Sequence, residues 1–389
     1  KYVKFPKLEK IRSSNPGISH SLLKRSGEPA MNFADETTWY STVIYLGTPA
    51  QSLSVQIDTG SSFFWVTSAT NYNCEEYNTI AGQLNCTSIT YFSAGDSDSF
   101  SSNLTFFQID YSGGDGAWGF WGKDTLAFDD IEIPDFKFGI AQYSTSDTNV
   151  LGIGLPTDDD SKDENLAYML QSNGDIDRVV YSIDIAVEEA ALLFGAVDKS
   201  KYVGPLFTAP MVGTDTPESI TELAVTLSLV SLVSSNGSLV ENTNPNGGLI
   251  AAVLDTGSTY SMFSPSFVKQ FLSVFGISKE TDDSYYFLSC SKVKGYSIAF
   301  NFQGFEMHVP LTQFVDGQDG DTCKVVIFNS GYDEMVLLGD NFLRYVYYVV
   351  DLERLEISIA RVNPCPTSEE IQTVTGSIPN STPVPDFNN

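Results

Sequence analysis

Histidine is nearly missing from this chain of 389 residues: His20 and His308 are the whole supply. A Ser-His-Asp triad or a multi-histidine zinc centre therefore has too few side chains to be built, and Cys-His catalysis lacks a pair. Cysteine is scarce too, with Cys74, Cys86, Cys290, Cys323 and Cys365 and no C-x-x-C spacing of the metal or redox kind. No apolar run approaches the roughly 20 residues needed to cross a bilayer. The N-terminus lacks a long apolar segment, so the expectation is that any signal peptide has already been removed. Basic residues are outnumbered: 21 Lys+Arg face 49 Asp+Glu, a net charge of −28, which argues against a nucleic-acid partner. The Gly-rich stretches, "GGDG" among them, do not match phosphate loops.

What remains is a globular chain, 42% hydrophobic and 13% aromatic, long enough for two domains or one bilobal unit. Its charge is uneven. Residues 1–25 hold seven basic residues (Lys1, Lys4, Lys7, Lys10, Arg12, Lys24, Arg25) and one acid, Glu9, which leaves −34 on the rest. A basic arm of this kind docks electrostatically on an acidic body. Lys24-Arg25 reads either as an exposed helix end or as a processing site. Four N-x-S/T sequons, at Asn85, Asn103, Asn236 and Asn380, join few, well-spaced cysteines in pointing to the secretory pathway. Pairing Cys74 with Cys86 and Cys290 with Cys323 closes two local loops and leaves Cys365 odd, although four cysteines allow three pairings.

From about residue 38, short alternating apolar runs are broken by Gly, Asp, Asn and Ser, as in "YSTVIYLGT", "SLSVQID" and "YSIDIA". This punctuation predicts an all-β protein. Helices are expected only near 164–171, 264–275 and 340–344. The last residues, "PTSEEIQTVTGSIPNSTPVPDFNN", have no apolar periodicity and read as a flexible or O-glycosylated stalk.

One stretch does not fit turn chemistry alone. "QIDTGSSFFWV" at 56–66 returns as "VLDTGSTYSMF" at 253–263, placing Asp58 and Asp255 197 residues apart. Each copy is followed at a distance by an apolar segment ending in glycine, "NVLGIGL" at 149–155 and "MVLLGDNF" at 335–342. A turn has no reason to recur together with its remote context. Two equivalent carboxylates brought together across a pseudo-twofold axis cannot both ionise cheaply, so one keeps a proton and a single site holds an acid and a base. That pair can activate water against a carbonyl; aspartic proteases are the standard worked example of such a dyad. Gly60 and Gly257 let backbone approach the carboxylates, while Thr59, Ser61, Thr256 and Ser258 supply hydroxyls to orient the carboxylates and buttress the loops. Glycosidases also use paired carboxylates but lack a duplicated D-T-G-S.

On these residues the chain resembles the pepsin-like aspartic endopeptidases over nearly all of 36–366. "YLGTPAQ" at 45–51 is similar to the family's segment before the first active-site loop. "IDYSGGDGAWGFWGKDTLAF" at 109–128 resembles the flap hairpin and places the flap tyrosine at Tyr111, although "YSGGDGA" carries one residue more than the family's usual flap. Trp65 falls where the family has the tryptophan that hydrogen-bonds that tyrosine; ordinary core aromatics are the alternative for both. "LLFGAVDKSKYVGPL" at 192–206 and "LLGDNFLRYVYYVVDLERLEISIA" at 337–360 resemble the lobes' closing strands. The resemblance implies an all-β bilobal fold of two pseudo-symmetric lobes with a long cleft able to hold an extended peptide. It implies Asp58 and Asp255 as the catalytic pair, with no cofactor and no metal.

Within the family the chain looks most like the fungal yapsins, secreted or cell-surface enzymes that cut after Lys or Arg, many of them glycolipid-anchored beyond a Ser/Thr-rich stalk. The implied partners are peptides or proteins with basic cleavage sites and the chain's own basic pro-segment, acting on a monomer. A basic side chain in the cleft needs a carboxylate nearby to offset its desolvation. Asp115 on the flap is the candidate; the alternative is a solvated hairpin-tip aspartate. The domains expected are a pro-segment, 1–25; an N-terminal lobe, 26–205; a C-terminal lobe, 206–366; and a flexible tail, 367–389. One of Lys4, Lys7, Lys10 or Lys24 is expected to lie near the dyad in the zymogen. A generic acid protease with apolar preference and an inactive pepsin-like binding protein are the competing readings.

Overall fold

The computed structural model describes residues 1–13, 37–74, 89–111, 115–156, 159–186, 189–214, 216–217, 219–237, 249–278, 284–366 and 368–385. Strands dominate them. The reason is visible in Gln51–Asp58, where Leu53, Val55 and Ile57 alternate into the core while Ser52, Ser54 and Gln56 do not. In the first half Gln51–Asp58 pairs antiparallel with Thr37–Leu46, and a long hairpin joins Gly116–Phe128 to Ile131–Ser144. Val180–Asp184 pairs on one side with Glu189–Phe194 and on the other with Val346–Asp351, so a shared sheet joins the two halves. The second half adds a five-stranded sheet and two three-stranded ones.

The duplicated motif sits in the same setting twice. Gln51–Asp58 runs parallel to Asn149–Gly152, with Asp58 opposite Gly152, and Phe64–Thr67 returns antiparallel on the same strand. Ile250–Leu254 runs parallel to Met335–Leu338, and Met262–Phe263 returns antiparallel on it. A Cβ on Gly152 would lie 2.6 Å from the Phe63 nitrogen, and one on Gly339 2.6 Å from the Ser258 carbonyl oxygen. Glycine is therefore required where each distant segment closes beneath its motif loop.

The three anticipated helices are present as Leu166–Ser172, Pro265–Phe275 and Asp340–Leu343. Pro265–Phe275 has each local signal: Ser264 caps the Phe267 N–H, Pro265 opens the helix, and Gly276 closes it at φ 71°. A fourth, Cys290–Val293, has too few residues to show a period. Its first residue is bonded to Cys323, with Cα atoms 5.1 Å apart. Cys365 is free and exposed. Cys86, and with it the Cys74–Cys86 pairing, lies outside the described residues, as do Lys24, Arg25 and Asn85. No helix among the described residues is long and apolar enough to cross a membrane.

Two expectations about the ends need correction. The tail is not a free stalk: Ile371–Thr373 pairs with Ala196–Asp198, and Ser381–Pro383 pairs parallel with Leu206–Thr208. Val374, Ile378 and Val384 are buried, which is the apolar content that anchors it. The arm at the other end does not lie along the cleft. Val3–Lys4 and Leu8–Ser13 are strands of the large sheet, paired with Glu189–Phe194 and with Thr37–Ser41. The expected lobe boundary at 205/206 falls inside the strand Tyr202–Pro210.

Candidate active site

Each D-T-G-S turn leaves its strand at the aspartate and wraps that carboxylate in its own loop. Gly60 N–H donates to Asp58 Oδ1 at 2.8 Å and the Ser61 hydroxyl donates to Oδ2. In the second copy Gly257 N–H donates to Asp255 Oδ1 at 2.8 Å and the Ser258 hydroxyl to Oδ2 at 2.7 Å. The threonines do something else. Thr59 and Thr256 do not orient the carboxylates; their hydroxyls cross the seam between the halves. Thr59 N–H donates to Thr256 Oγ1 at 3.1 Å and Thr256 N–H to Thr59 Oγ1 at 3.0 Å. Each hydroxyl then donates onward to the opposite strand, Thr59 to Leu254 O at 2.9 Å and Thr256 to Ile57 O at 2.8 Å. Both threonines are buried, so no water competes for these bonds.

This reciprocal lock brings the two carboxyls together. Asp58 lies close enough to Asp255 for the second carboxyl to act on it directly and, at 5% exposure, has almost no access to solvent. Asp255 is half-buried. Burial, then the adjacent Asp255 charge, pushes the Asp58 carboxyl from the usual range up to about 7, against the lowering effect of Ser61 and Gly60. The close approach explains the glycines. A Cβ on Gly60 would sit 2.6 Å from Asp255 Oδ1, and one on Gly257 2.5 Å from Asp58 Oδ1. Such a pair holds one proton between two oxygen acids up to neutral pH, which suits it to donate and accept protons at once.

Trp65, fully buried, donates its indole N–H to the Tyr111 hydroxyl at 2.8 Å. Burial, with the charge of Asp58 adding to it, holds the Tyr111 phenol neutral well above its ordinary range. Tyr111 stands at the end of the strand Phe106–Asp110, and its N–H donates to Asp115 O at 2.8 Å, closing the hairpin. Residues 112–114 lie outside the described set. Asp115 is half-buried, and next to it Gly116 is tied by both its N–H and its C=O to Thr145.

The sequence reading missed several residues. Asp147, two positions after Thr145, is held above the ordinary carboxyl value by burial and by the charge of Asp115. Asn165 supports the first motif loop from below, donating to Gly154 O at 2.9 Å and Ser62 O at 3.3 Å. Asn341 does so for the second, accepting from Ser261 Oγ at 2.6 Å. No local pattern marks these side chains, because their partners are 11 to 103 residues distant.

The described lysines of the arm, Lys1, Lys4, Lys7 and Lys10, are not at the dyad. Alternation of the arm's strands sends Val3, Phe5 and Leu8 into the core and turns Lys4 and Lys7 outward. Lys4 pairs with Glu369, and Lys10 lies over the Tyr40 ring at 5.8 Å. Among the described residues no lysine figures among the groups acting on Asp58. Among the sequons, Asn103, Asn236 and Asn380 are exposed, and Asn103 Oδ1 accepts from the Thr105 hydroxyl of its own triplet at 2.6 Å.

Two lobes, a duplicated carboxylate loop and a hairpin whose tyrosine meets a buried tryptophan define the class. The pattern of the eukaryotic aspartyl proteases matches residues 39–362, and the chain belongs to that family. It is 30% identical to aspartic proteinase yapsin-3 of Saccharomyces cerevisiae over 411 residues, covering 100% of this chain and 78% of that protein. It is 28% identical to aspartic proteinase 3 of the same organism, covering 100% of this chain and 82% of that protein. Among solved structures, an aspartic proteinase from Irpex lacteus shares the fold, with a TM-score of 0.64 at 18% identity over 84% of this chain and 94% of that one. The protein is an aspartic endopeptidase acting on peptides or proteins.

Proposed function

We propose that Asp58 and Asp255 hydrolyse peptide bonds by activating one water between them. Asp255 takes a proton from the water as the water's oxygen attacks the scissile carbonyl carbon. Asp58 gives its proton to the carbonyl oxygen, producing a neutral tetrahedral diol. Collapse then breaks the C–N bond: Asp58 recovers its proton from a hydroxyl, and Asp255 passes its own to the leaving nitrogen. The observation that carries this reading is the close approach of two carboxyls, each wrapped in its own D-T-G-S loop, with the Asp58 proton retained to about pH 7. Tyr111 and Trp65 belong to the flap side of the same site.

Basic specificity is the finer part of the proposal. Asp115, at the turn of the hairpin, lies close enough to Asp147 for its charge to add to burial in holding the Asp147 carboxyl above its ordinary value, and a Lys or Arg beside the scissile bond relieves that repulsion. The body's net charge of −34 attracts such substrates as well. The enzyme works at the cell surface or outside the cell, is made as a zymogen cut at Lys24-Arg25, and carries glycans on its sequons. Similarity to a protein named yapsin-3 supports this branch.

The test is cleavage of two matched peptides, one with Lys-Arg and one with Leu-Phe at the test bond, from about pH 3 to 7. Inhibitor-sensitive cutting of the basic peptide, reduced towards parity in Asp115→Ala and Asp147→Ala, is expected. Equal cutting of both by wild type leaves a generic acid protease, and an unchanged basic preference in both variants removes these two aspartates from the specificity. No cutting of either peptide, once the Lys24-Arg25 bond is open, brings the inactive binding protein forward.

A further inference from the structure

The two motif loops differ in chemistry at the fifth residue past each aspartate, which is Phe63 in the first copy and Tyr260 in the second. Phe63 packs edge-on against Trp121 at 5.6 Å and Phe107 at 6.0 Å, an aromatic setting that needs no hydrogen bond. Tyr260 keeps one ring contact, 5.9 Å from Phe328, but its hydroxyl donates to Asp316. Its backbone is held as well. A Cβ on Gly339 would lie 2.8 Å from the Tyr260 carbonyl oxygen, and Ser258 O accepts the Asp340 N–H at 2.9 Å. Two residues before Tyr260, the Ser258 hydroxyl holds Asp255.

Asp316 reaches that hydroxyl because its strand is bulged. Val315 lies opposite Val325 and Gly317 opposite Lys324, which leaves Asp316 as the extra residue, and a bulge re-aims the side chain it carries. The Asp316 side chain is 4% exposed and that of Lys324 5%, and the two meet at 3.0 Å. The Lys324 ammonium also lies 3.9 Å from the centre of the Tyr285 ring, and Cys323 before it is bonded to Cys290. A buried ion pair is a weak source of stability, because desolvation offsets most of its attraction and apolar residues of similar volume serve as well. What this pair supplies is a fixed, charged acceptor for one phenol.

We infer that Asp316, held by Lys324, is a positioning residue for the second catalytic carboxylate: through Tyr260 it fixes the loop that carries Asp255, where the first loop uses aromatic packing instead. The inference rests on the reading of Asp255 as catalytic given above. Neither Asp316 nor Lys324 takes part in the proton transfers.

The test separates the acceptor from the charge. Tyr260→Phe removes a single hydroxyl and leaves the Lys324–Asp316 pair intact. It should lower kcat about tenfold, with KM for the Lys-Arg peptide within about twofold and Tm within about 3 °C of wild type. Asp316→Asn combined with Lys324→Met removes both charges but keeps an acceptor for the phenol, and its kcat should stay within about threefold of wild type. Asp316→Leu combined with Lys324→Met removes charges and acceptor together and should match Tyr260→Phe. An unchanged kcat in Tyr260→Phe overturns the inference, and so does an equal loss in the two double variants. Should a double variant fail to fold, Tyr260→Phe alone decides. A second readout does not depend on turnover: amide hydrogen exchange of residues 254–261, followed by mass, should quicken about tenfold in Tyr260→Phe. Unchanged exchange there also overturns the inference. If Asp255→Asn keeps wild-type cleavage, the reading of the catalytic pair fails, and the exchange result alone decides whether the tether holds the loop.

Discussion

Thr59 and Thr256, 197 residues apart, each receive the other's backbone N–H on the side-chain hydroxyl, at 3.1 and 3.0 Å. Both hydroxyls also donate to a carbonyl of the opposite strand, so four buried bonds fasten the two halves directly beneath the paired carboxyls. Thr256→Ala orphans one buried N–H and one buried C=O, which costs about 2–4 kcal/mol. Thr256→Ser keeps the hydroxyl and should cost about 1 kcal/mol or less. Urea unfolding measures both; equal losses in the two variants would assign the effect to the methyl group.

The Trp65–Tyr111 bond makes a prediction about turnover. Tyr111→Phe removes one hydroxyl and leaves the fully buried indole N–H of Trp65 without that acceptor. We expect kcat to fall about tenfold, the equivalent of roughly 1.4 kcal/mol of lost positioning. Far-UV circular dichroism should be unchanged. An unaltered kcat would detach this pair from the reaction.

The pH dependence follows from Asp58. Its carboxyl is raised to about 7 in the folded protein, from an unfolded value near 3.8. Between those values the folded state binds more protons than the unfolded one, so stability contributed here is complete below about 3.8 and declines as pH rises to about 7. Asp58→Asn has no charge to bury. Its Tm advantage over wild type should grow from pH 4 to pH 7, and peptide cleavage by wild type should lose its shared proton on the alkaline side near pH 7. A constant Tm difference across that range would contradict the assignment.

The docked tail gives a stability test. Val374 is fully buried among Val180, Tyr202, Tyr347 and Val349. Val374→Ala should cost about 2 kcal/mol in urea unfolding, whereas a free stalk would lose nothing.

Most of the site was legible because its residues announce themselves by repetition. The D-T-G-S copies, their trailing glycines and the capped helix Pro265–Phe275 are local patterns that recur or carry end signals. What stayed hidden depends on partners far along the chain. Val374, Ile378 and Val384 are spaced irregularly among Ser, Thr and Pro, so nothing local marks them as buried. The arm's strands are short, and only the sheet edge offered by Glu189–Phe194 turns "KYVKFPKL" into structure rather than a basic tail. From the motif alone the Thr59 and Thr256 hydroxyls read as orienting the carboxylates and buttressing the loops; their reciprocal bonds exist only once two lobes face each other.

The central claim is that Asp58 and Asp255 act as one unit on one water. The direct measurement is kcat for cleavage of a Lys-Arg peptide by Asp58→Asn, Asp255→Asn and the double variant, each shown to be folded by circular dichroism. The account predicts that either single change lowers kcat by about 10³-fold or more, and that the double variant is little worse than either. A single variant retaining activity within about tenfold of wild type, or losses that multiply in the double variant, would contradict it.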